Sequence, residues 1–350
     1  MRPIWFHAAS AGDVRAITPL IHALTQAEPA IPHYLSTWTQ TGRDMAGRLL
    51  PHTPLGRPPL DVPPLPGRAL ARVRPRLLVL EYLELWPAWA RACSHRGVPI
   101  VVVDGKVSHR SLRIRALLRR AAGRITHFCA QTPQDAENAR SLGVPSARIT
   151  VNGNGKYDGL IGQPPHVSRE LLESVGAVDV VLGSLHPDEE RDALTALSQT
   201  HYRVLIAPRY PRRVTAIMRR AEALGIDVGL RSEGASERRC VILDSMGELA
   251  AAYALGRVAI VGGTFGRRGG QNLIEPAVHG RPVIFGPRHE RVLAEANALD
   301  GQGGWPASDW THAVTLTERL LTTPGPDPRA ALSTLVGATR RNLRVVLAHL

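Results

Sequence analysis

The stretch Val261-Gly262-Gly263-Thr264-Phe265-Gly266-Arg267-Arg268-Gly269-Gly270-Gln271-Asn272-Leu273-Ile274-Glu275-Pro276 decides the fold of this chain. An apolar run at residues 258–261 ends in paired glycines, and a second glycine pair leads into Asn-x-x-Glu at the start of a predicted helix. Glycine lets backbone N–H groups approach a phosphate, and a helix N-terminus favours an anion. The pattern predicts a nucleotide clamp, with Glu275 accepting from a ribose diol. It also fits a strand, a flexible turn and an ordinary helix, and both interpretations stay open.

Similar apolar runs occur on both sides of this stretch. They cover residues 4–8, 77–80, 100–103 and 127–130 in the first half and 180–183, 203–207, 241–243, 258–261 and 282–285 in the second. Runs without polar alternation, separated by helical segments, indicate parallel sheets covered on both faces. We therefore expect an α/β protein with two doubly wound domains, at residues 1–158 and 167–330, joined by a linker at 159–166. A C-terminal amphipathic helix is expected at residues 331–350.

The composition limits the kind of protein. The three cysteines are far apart, which argues against a disulfide framework and a cysteine zinc site. His186 has no neighbouring His or Cys, and no Asp-x-Asp pair occurs, so we expect no metal site. No run of about 20 apolar residues is present, and the N-terminus lacks a signal-peptide pattern.

The net charge of +13 is concentrated in the first half of the chain. Residues 1–150 hold 20 Arg and Lys against 9 Asp and Glu, and residues 106–124 carry seven basic residues and no acid. Such a segment favours a polyanion: nucleic acid, anionic lipid or a phosphorylated acceptor. An arginine-rich genome is the alternative explanation, since the chain has only two lysines.

Several loops that follow apolar runs carry reactive groups, and ligands of doubly wound sheets bind where strands end. Asp13 follows the first run and is a candidate general base or a helix cap. Glu81 and Glu84 follow a later run and could shape an acceptor pocket or pair with arginines. Lys156 lies in a glycine-rich turn, where it could neutralise a leaving phosphate or be an ordinary exposed lysine.

The second half offers two more loops. Arg209, after Pro208, is a candidate for gripping a phosphate with two hydrogen bonds. The segment at residues 244–249 is predicted to start with an Asp/Ser helix cap that leaves N–H groups open to a base or ribose.

Taken in order, these loops resemble those of the 3-deoxy-D-manno-oct-2-ulosonic acid (Kdo) transferases, which add Kdo to the lipid A precursor of lipopolysaccharide. The matching stretches are residues 7–13, 39–43, 84–87, 104–111, 153–158, 183–190, 207–213, 244–249 and 262–276. The resemblance implies a GT-B fold, with two Rossmann-like domains facing across a cleft. It also implies an inverting transfer from the donor substrate CMP-Kdo, with no metal or other cofactor.

The resemblance assigns roles by position. Asp13 becomes the catalytic base and Lys156 the residue that assists charge development, while Glu84 matches the second Glu of the family's Glu-Thr-Glu-Leu-Trp-Pro motif. The contacts to CMP fall on Pro208, Arg209, Met246, Gly247, Glu248, Asn272, Leu273, Ile274 and Glu275. The implied partners are a nucleotide-sugar donor, a phosphorylated glycolipid acceptor and an anionic membrane surface, without nucleic acid. The implied location is peripheral, on the cytoplasmic face of the inner membrane.

The chain departs from the family pattern at four points. Asp13 replaces a Glu, and the first Glu of the acidic motif becomes Tyr82, unless a one-residue bulge brings Glu81 to that position. The family's Gly-Gly-His-Asn-Pro becomes Gly-Gly-Gln-Asn-Leu here. Family members begin with a hydrophobic anchoring segment, and this chain is expected to start after it.

Three functions follow from these observations. The first is an inverting Kdo transferase that acts on a lipid A-type acceptor. The second is a GT-B relative with another CMP- or UDP-sugar or another acceptor, which the altered Asp13 and Tyr82 motivate. The third is a non-catalytic protein that binds polyanions through its basic half, although no nucleic-acid motif supports it and aromatic residues make up only 5% of the chain.

Overall fold

The computed structural model describes the backbone of residues 1–350 and every side chain except those of His109 and Arg110. The chain forms two compact units. The first comprises residues 1–159 and 336–350, and the second comprises residues 160–335. Each unit is built on one parallel sheet of seven strands, as the apolar runs predict.

The sheet of the first unit has the strand order β3-β2-β1-β4-β5-β6-β7. Its strands are β1 Ile4–His7, β2 His33–Ser36, β3 Leu55–Gly56, β4 Leu77–Glu81, β5 Ile100–Gly105, β6 His127–Ala130 and β7 Ile149–Val151. Its helices are α1 Ala11–Ala27, α2 Gln40–Leu49, α3 Leu65–Val73, α4 Pro87–His95, α5 His109–Arg113, α6 Arg115–Ala122 and α7 Pro133–Leu142, with α8 Gly155–Gly162 at the end of the unit. Apolar cores lie on both faces of this sheet, which is why its central strands carry almost no polar residues.

The sheet of the second unit has the order β10-β11-β9-β8-β12-β13-β14. Its strands are β8 Val180–Leu185, β9 Val204–Pro208, β10 Val228–Leu230, β11 Cys240–Ile242, β12 Val258–Val261, β13 Val283–Phe285 and β14 Gly304–Pro306. Its helices are α9 Arg169–Val175, α10 Glu190–Ser198, α11 Val214–Ala223, α12 Leu249–Ala252, α13 Ile274–Ala277, α14 Leu293–Leu299, α15 Trp310–Thr322 and α16 Arg329–Leu332. This sheet is also covered on both faces.

Both strand orders reverse at the centre of the sheet, between β1 and β4 in the first unit and between β8 and β12 in the second. A crevice forms where loops leave adjacent strands in opposite directions, and this is where doubly wound sheets bind ligands. The segments that follow β1, β4 and β12 contain Asp13, Glu84 and residues 272–275 of the predicted site.

The C-terminal segment differs from the expected single helix over residues 331–350. Helix α16 ends at Leu332, and the last helix, α17 Ala338–Leu347, begins after Gly337, whose φ of 93° interrupts the helix. Helix α17 packs into the core of the first unit, where Val346 is fully buried. The expected linker at residues 159–166 begins inside α8.

Candidate active site

Three of the predicted catalytic residues come together at the carboxyl edge of the first sheet. Asp13 follows β1, and Glu81 and Glu84 lie at the end of the neighbouring strand β4 and just after it. The charge of Asp13 raises the pKa of both glutamates, although burial is the larger cause in each case. The loops at the point where the strand order reverses therefore form one acidic cluster.

Asp13 is the third residue of α1 and closes the first turn of that helix. The backbone N–H of Ser10 donates to its Oδ2 at 2.8 Å. A carboxylate in the first helical turn also interacts favourably with the helix dipole. The structure thus shows Asp13 as a helix cap, one of its two expected roles, and its side chain is only partly buried.

Glu81 is buried to 1% exposure at the end of β4. Neither of its oxygens has a hydrogen-bond partner among the described residues, although the buried carboxyl group of Asp104 lies beside it. Burial and the neighbouring charges of Asp104 and Asp13 raise the pKa of Glu81 well above its ordinary value. A carboxyl group in this position is therefore harder to ionise than a free one.

The bulge that would bring Glu81 into the family's first Glu position is absent. Strand β4 pairs with β5 in unbroken register from Leu78 through Glu81, because the apolar side chains of both strands fill the same cores. The chain turns at Tyr82 instead, which has a φ of 56°. Such a conformation is strained for a bulky residue and is often found at functional sites. Tyr82 therefore stands where the family has its first Glu.

Glu84 lies beyond this turn and is partly buried. The indole Nε1–H of Trp86 donates to its Oε2 at 3.2 Å. Burial raises the pKa of Glu84, while this hydrogen bond lowers it. The side chain is thus held in place beside Asp13.

Asp104 connects this cluster to the turn that carries Lys156. Its Oδ1 accepts from the backbone N–H of Gly155 at 2.9 Å and from the Nδ2–H of Asn342, in α17, at 2.9 Å. Burial raises the pKa of Asp104 to about 6. Among the described residues, no carboxylate lies within 4 Å of the Lys156 ammonium group, so its charge remains available to a ligand.

The glycine-rich turn of the second unit differs from the expected phosphate clamp. The buried carboxylate of Glu189 accepts from the backbone N–H groups of Gly263 at 2.7 Å and of Phe265 and Gly266 at 2.9 Å each. It also accepts from the N–H of His186 at 3.1 Å. The N–H groups that were expected to bind a phosphate are therefore already bound to a carboxylate of the protein.

The paired glycines are needed for packing. A Cβ atom on Gly262 would lie 2.7 Å from the carbonyl oxygen of Ser184, so only glycine permits this approach of two backbone segments. Gly263 has a φ of 73°, which glycine adopts without strain.

Residues 272–275 lead into α13, which begins at Ile274. The Oδ1 atom of Asn272 accepts from the N–H of Ile274 at 2.9 Å, and its Nδ2–H donates to Glu275 Oε1 at 3.0 Å. The side chains of Leu273 and Ile274 are fully buried, so these two residues could contact a nucleotide only through their backbone. Glu275 is partly buried, and its charge raises the pKa of the buried Tyr253, though less than burial does.

Arg209 follows Pro208, the last residue of β9. Its N–H donates to the carbonyl oxygen of Leu185 at 2.9 Å, which fixes its backbone at the end of β8. The side chain is exposed and lies 5.9 Å from the ring centroid of Tyr210. An exposed guanidinium beside the point of strand reversal is suited to bind a phosphate.

The segment with Met246, Gly247 and Glu248 is not the capped helix that the sequence predicts. Asp244 accepts from the N–H and Oγ–H of Ser232, and α12 begins only at Leu249. Asp244 instead binds the 3-10 turn at Arg231–Glu233, because the N–H and Oγ–H groups of Ser232 both donate to it. Arg231 holds Glu248 by an ion pair of 2.8 Å, while Met246 is 72% exposed and Gly247 has a φ of 89°.

The chain is similar to several known proteins. The profile of the family described as 3-deoxy-D-manno-octulosonic-acid transferase (kdotransferase) matches residues 1–159. The 3-deoxy-D-manno-octulosonic acid transferase of Bordetella pertussis is 32% identical, over 97% of this chain and 86% of that protein. The enzyme of the same name from Haemophilus influenzae is 30% identical, over 85% of this chain and 74% of that protein. The chain belongs to the Kdo transferase family.

This Kdo transferase is therefore a glycosyltransferase, and its reaction is Kdo transfer in lipopolysaccharide synthesis. The fold is also similar to solved structures of low identity. The UDP-GlcNAc 2-epimerase of Neisseria meningitidis, bound to UDP-GlcNAc, is 11% identical with a TM-score of 0.67, over 99% of each chain. A glycosyltransferase of Rickettsia africae is 12% identical with a TM-score of 0.65, over 99% of this chain and 98% of that one. These likenesses show the two-domain α/β fold of the GT-B class.

Sequence reasoning missed three residues of the Kdo transferase that organise the site. Asp104 and Glu189 lie in stretches that resemble the family, but the carboxylate and backbone groups that they bind come from distant parts of the chain. Asn342 lies in a helix that the sequence places apart from the first unit. The sequence did contain one signal for Asp104. It is an acidic residue that follows four apolar residues of a strand, and a buried acid of this kind needs hydrogen-bond or charge partners.

Some surface features lie away from these loops. A cavity of about 850 Å³ lies at the amino-terminal edge of the first sheet and contains none of the predicted site residues. In and beside α6, Leu117 and Ile114 are 70% and 45% exposed among the exposed arginines 113, 115, 119 and 120. Arg110, from the same basic segment, lies outside the described side chains.

Two kinds of feature are absent from the described residues. No helix in the described part of the chain is long and apolar enough to cross a membrane. The described side chains include no group of three His, Cys, Asp or Glu residues that could hold a metal ion.

Proposed function

We propose that this chain transfers Kdo from CMP-Kdo to a hydroxyl group of a phosphorylated lipid A precursor, similar to lipid IVA, with inversion at the anomeric carbon. The observation that carries the proposal is the acidic cluster of Asp13, Glu81, Glu84 and Asp104 at the strand ends of the first unit. This unit contains the residues that match the Kdo transferase profile.

In this proposal, Asp13 is the general base. The acceptor hydroxyl gives its proton to the Asp13 carboxylate, and its oxygen forms a bond to the anomeric carbon of Kdo. The bond between that carbon and the phosphate oxygen breaks, and CMP leaves with the bonding electrons. The N–H of Ser10 fixes one carboxylate oxygen of Asp13, which orients the base.

Lys156 of the first unit is proposed to stabilise the negative charge that develops as CMP leaves, and Arg209 of the second unit is proposed to bind a phosphate of the nucleotide. Lys156 has no carboxylate neighbour among the described residues, and Arg209 is exposed at a strand end. Cations placed where negative charge develops are among the strongest contributors to catalysis. The glycine turn supports the site indirectly, because Glu189 occupies its N–H groups.

The nucleotide contacts are proposed for the second unit. Glu275 would accept from the ribose, the backbone of Asn272, Leu273 and Ile274 would line the nucleotide, and Met246, Gly247 and Glu248 would contact the base. The exposed Met246 and the open surroundings of Gly247 support this assignment.

We further propose that the transfer uses no metal or other cofactor, since Lys156 and Arg209 supply positive charge. Activity should survive dialysis against EDTA. An activity lost with EDTA and restored by Mg²⁺ would overturn this part of the proposal.

The acceptor is an anionic lipid, and we propose peripheral binding to the cytoplasmic face of the inner membrane. The exposed Leu117 and Ile114 among arginines support this, because apolar side chains in a basic helix favour the surface of an anionic bilayer. Nucleic acid is not expected as a partner.

The test of the function is a product analysis. Purified protein, CMP-Kdo and a lipid A precursor should yield CMP and Kdo-lipid in equal amounts, and only when both substrates are present. NMR of the product should show an anomeric configuration opposite to that of the donor. Retention of configuration would overturn the inverting mechanism, and absence of any CMP release would overturn the function.

Tyr82 supports a second candidate, a transferase with another nucleotide sugar or acceptor. It replaces a family Glu with a residue in a strained backbone conformation. Thermal-shift measurements with CMP, UDP and GDP separate the two. Stabilisation by CMP alone supports the first, and selective stabilisation by UDP supports the second.

A further inference from the structure

The turn that carries Lys156 is held by a helix far away in sequence. Helix α17 contributes Asn342, which is 2% exposed. The Oδ1 atom of Asn342 accepts from the Nδ2–H of Asn152 at 2.9 Å, and its own Nδ2–H donates to Asp104 Oδ1 at 2.9 Å. Asp104 Oδ1 also accepts from the N–H of Gly155. These bonds fix the turn at Gly155, just before Lys156, and at Asn152.

The far end of the same turn is held by α17 as well. Asp158 accepts from the backbone N–H groups of Gly337 at 2.6 Å and of Thr339 at 2.5 Å. Arg341 Nε–H donates to the carbonyl oxygen of Asn152 at 2.8 Å. Residues 152–158 are therefore bound to α17 at both ends, with Lys156 between the two attachments.

Helix α17 also packs against the helix that carries Asp13. The buried Val346 of α17 belongs to the same apolar core as Val14 and Ile17 of α1. One C-terminal helix thus contacts the elements that position both proposed catalytic residues of the first unit.

We propose that Asn342 and Asp104 are positioning residues that set the orientation of Lys156 through the turn at residues 152–158. This inference rests on the proposed role of Lys156. Buried, fully satisfied polar networks specify one local conformation, and a reacting group misplaced by about 1 Å can cost roughly a hundredfold in rate. A buried asparagine that donates to one segment and accepts from another serves this purpose.

The test is a double-mutant cycle between Asn342→Leu and Lys156→Ala. Asn342→Leu removes both hydrogen bonds while nearly keeping the volume, and it should lower kcat by at least about tenfold. The KM for CMP-Kdo should stay within about twofold, because the proposed nucleotide contacts lie in the second unit. In the Lys156→Ala background, Asn342→Leu should cause no further loss of kcat. An equal loss in both backgrounds would show a general structural role and overturn the inference.

A matched control is Asn297→Leu, which changes an exposed asparagine on α14 and should leave kcat unchanged. If Asn342→Leu does not fold, the same cycle is measured with Asn342→Ser. This variant also removes the side-chain amide, but it places no large apolar side chain among the polar partners. Full activity of a folded Asn342→Ser protein would contradict the positioning role.

A second readout does not depend on activity. Hydrogen exchange of the Gly155 and Lys156 amides should become faster in the Asn342 variant, while exchange in β4 stays unchanged. Unchanged exchange at Gly155 would overturn the inference even in an active enzyme. If the wild-type protein transfers no Kdo but this exchange pattern is found, the proposed function fails and the architecture of the turn stands.

Discussion

Glu189 shows how a carboxylate of the protein can take the place of a ligand. The chain builds a loop rich in glycine, and three of its N–H groups converge on one point. In many nucleotide-binding proteins that point holds a phosphate. Here it holds Glu189, so the loop is a rigid part of the second unit even without a nucleotide.

We therefore expect Glu189→Gln to destabilise the protein by roughly 2–4 kcal/mol. The amide NH₂ of Gln would face N–H donors and leave buried donors without an acceptor. Urea denaturation followed by circular dichroism measures the change. The control is Glu237→Gln at an exposed position, and a Glu189→Gln protein as stable as this control would contradict the interpretation.

The Glu81–Asp104 pair predicts a dependence of stability on pH. Burial raises the pKa of Asp104 from 3.8 to about 6, so the folded protein binds this proton more tightly than the unfolded chain does. The contribution of Asp104 to stability is present below about pH 4 and is lost as the pH rises to about 6, and the shift corresponds to about 3 kcal/mol.

The variant Asp104→Asn isolates this effect. The free energy of unfolding of the wild type, relative to that of Asp104→Asn, should fall between pH 4 and pH 6. Urea titrations at several pH values measure it. A difference that is constant across this range would show that Asp104 has an ordinary pKa, and one that grows with pH would show that its pKa is lowered; either result would contradict the prediction.

Only part of the residue-scale site could be predicted from the sequence. Asp13, Glu81 and Glu84 follow apolar runs, and the rule for strand ends brings them together correctly. Asp104, Glu189 and Asn342 act through partners that are 23 to 238 positions away in the sequence, and local patterns carry no information about such pairs. For the same reason, the clamp interpretation of the glycines did not foresee that Glu189 binds three N–H groups of this turn.

At the scale of elements, the central strands were the predictable ones. Runs such as those of β4, β5 and β12 are apolar because both of their faces are buried. The missed strands are short. Strands β3, β7, β10 and β14 are edge strands, and β2 lies next to the edge strand β3. Partly buried or exposed positions interrupt their apolar pattern, and β2 combines His33 and Tyr34 with Ser36.

Helix α17 depends on a cap from outside its own sequence. Its first turn offers N–H groups to the Asp158 carboxylate, since Gly337 at the cap position has no side chain to accept them. We expect Asp158→Ala to destabilise the protein by about 1–2 kcal/mol, as the loss of a helix cap does. Thermal unfolding measures this, with Asp192→Ala at an exposed position as the control. Equal melting temperatures for the two variants would contradict the cap.

At the scale of the whole molecule, the basic charge belongs to the unit that carries the proposed acceptor chemistry. We expect the protein to sediment with vesicles that contain anionic lipid and not with neutral vesicles. The double variant Leu117→Ser with Arg120→Glu should weaken binding at least about tenfold, because it removes apolar and electrostatic contributions of roughly 1 kcal/mol or more each.

The control for this experiment is Arg220→Glu on α11, an exposed arginine of the second unit. Equal weakening by the control would mean that net charge alone governs binding. If the double variant binds as tightly as the wild type, the membrane contact is not at α6.

The apolar runs of the two halves predict two doubly wound domains, and the strand ends place the reactive loops. The GT-B fold was expected from the family resemblance of those loops. The return of the C-terminal segment to the first unit could not be predicted from the sequence. A 10-residue amphipathic helix fits any complementary apolar surface.

The central claim is that Asp13 removes the acceptor proton in Kdo transfer. The most direct measurement is the rate of CMP release from CMP-Kdo with a lipid A precursor, for the wild type and for Asp13→Asn, which keeps an oxygen for the N–H of Ser10 but cannot take up the proton. We predict acceptor-dependent CMP release by the wild type and a loss of about 10²–10⁴-fold in Asp13→Asn, at unchanged melting temperature. An Asp13→Asn enzyme that retains the wild-type rate would contradict the account.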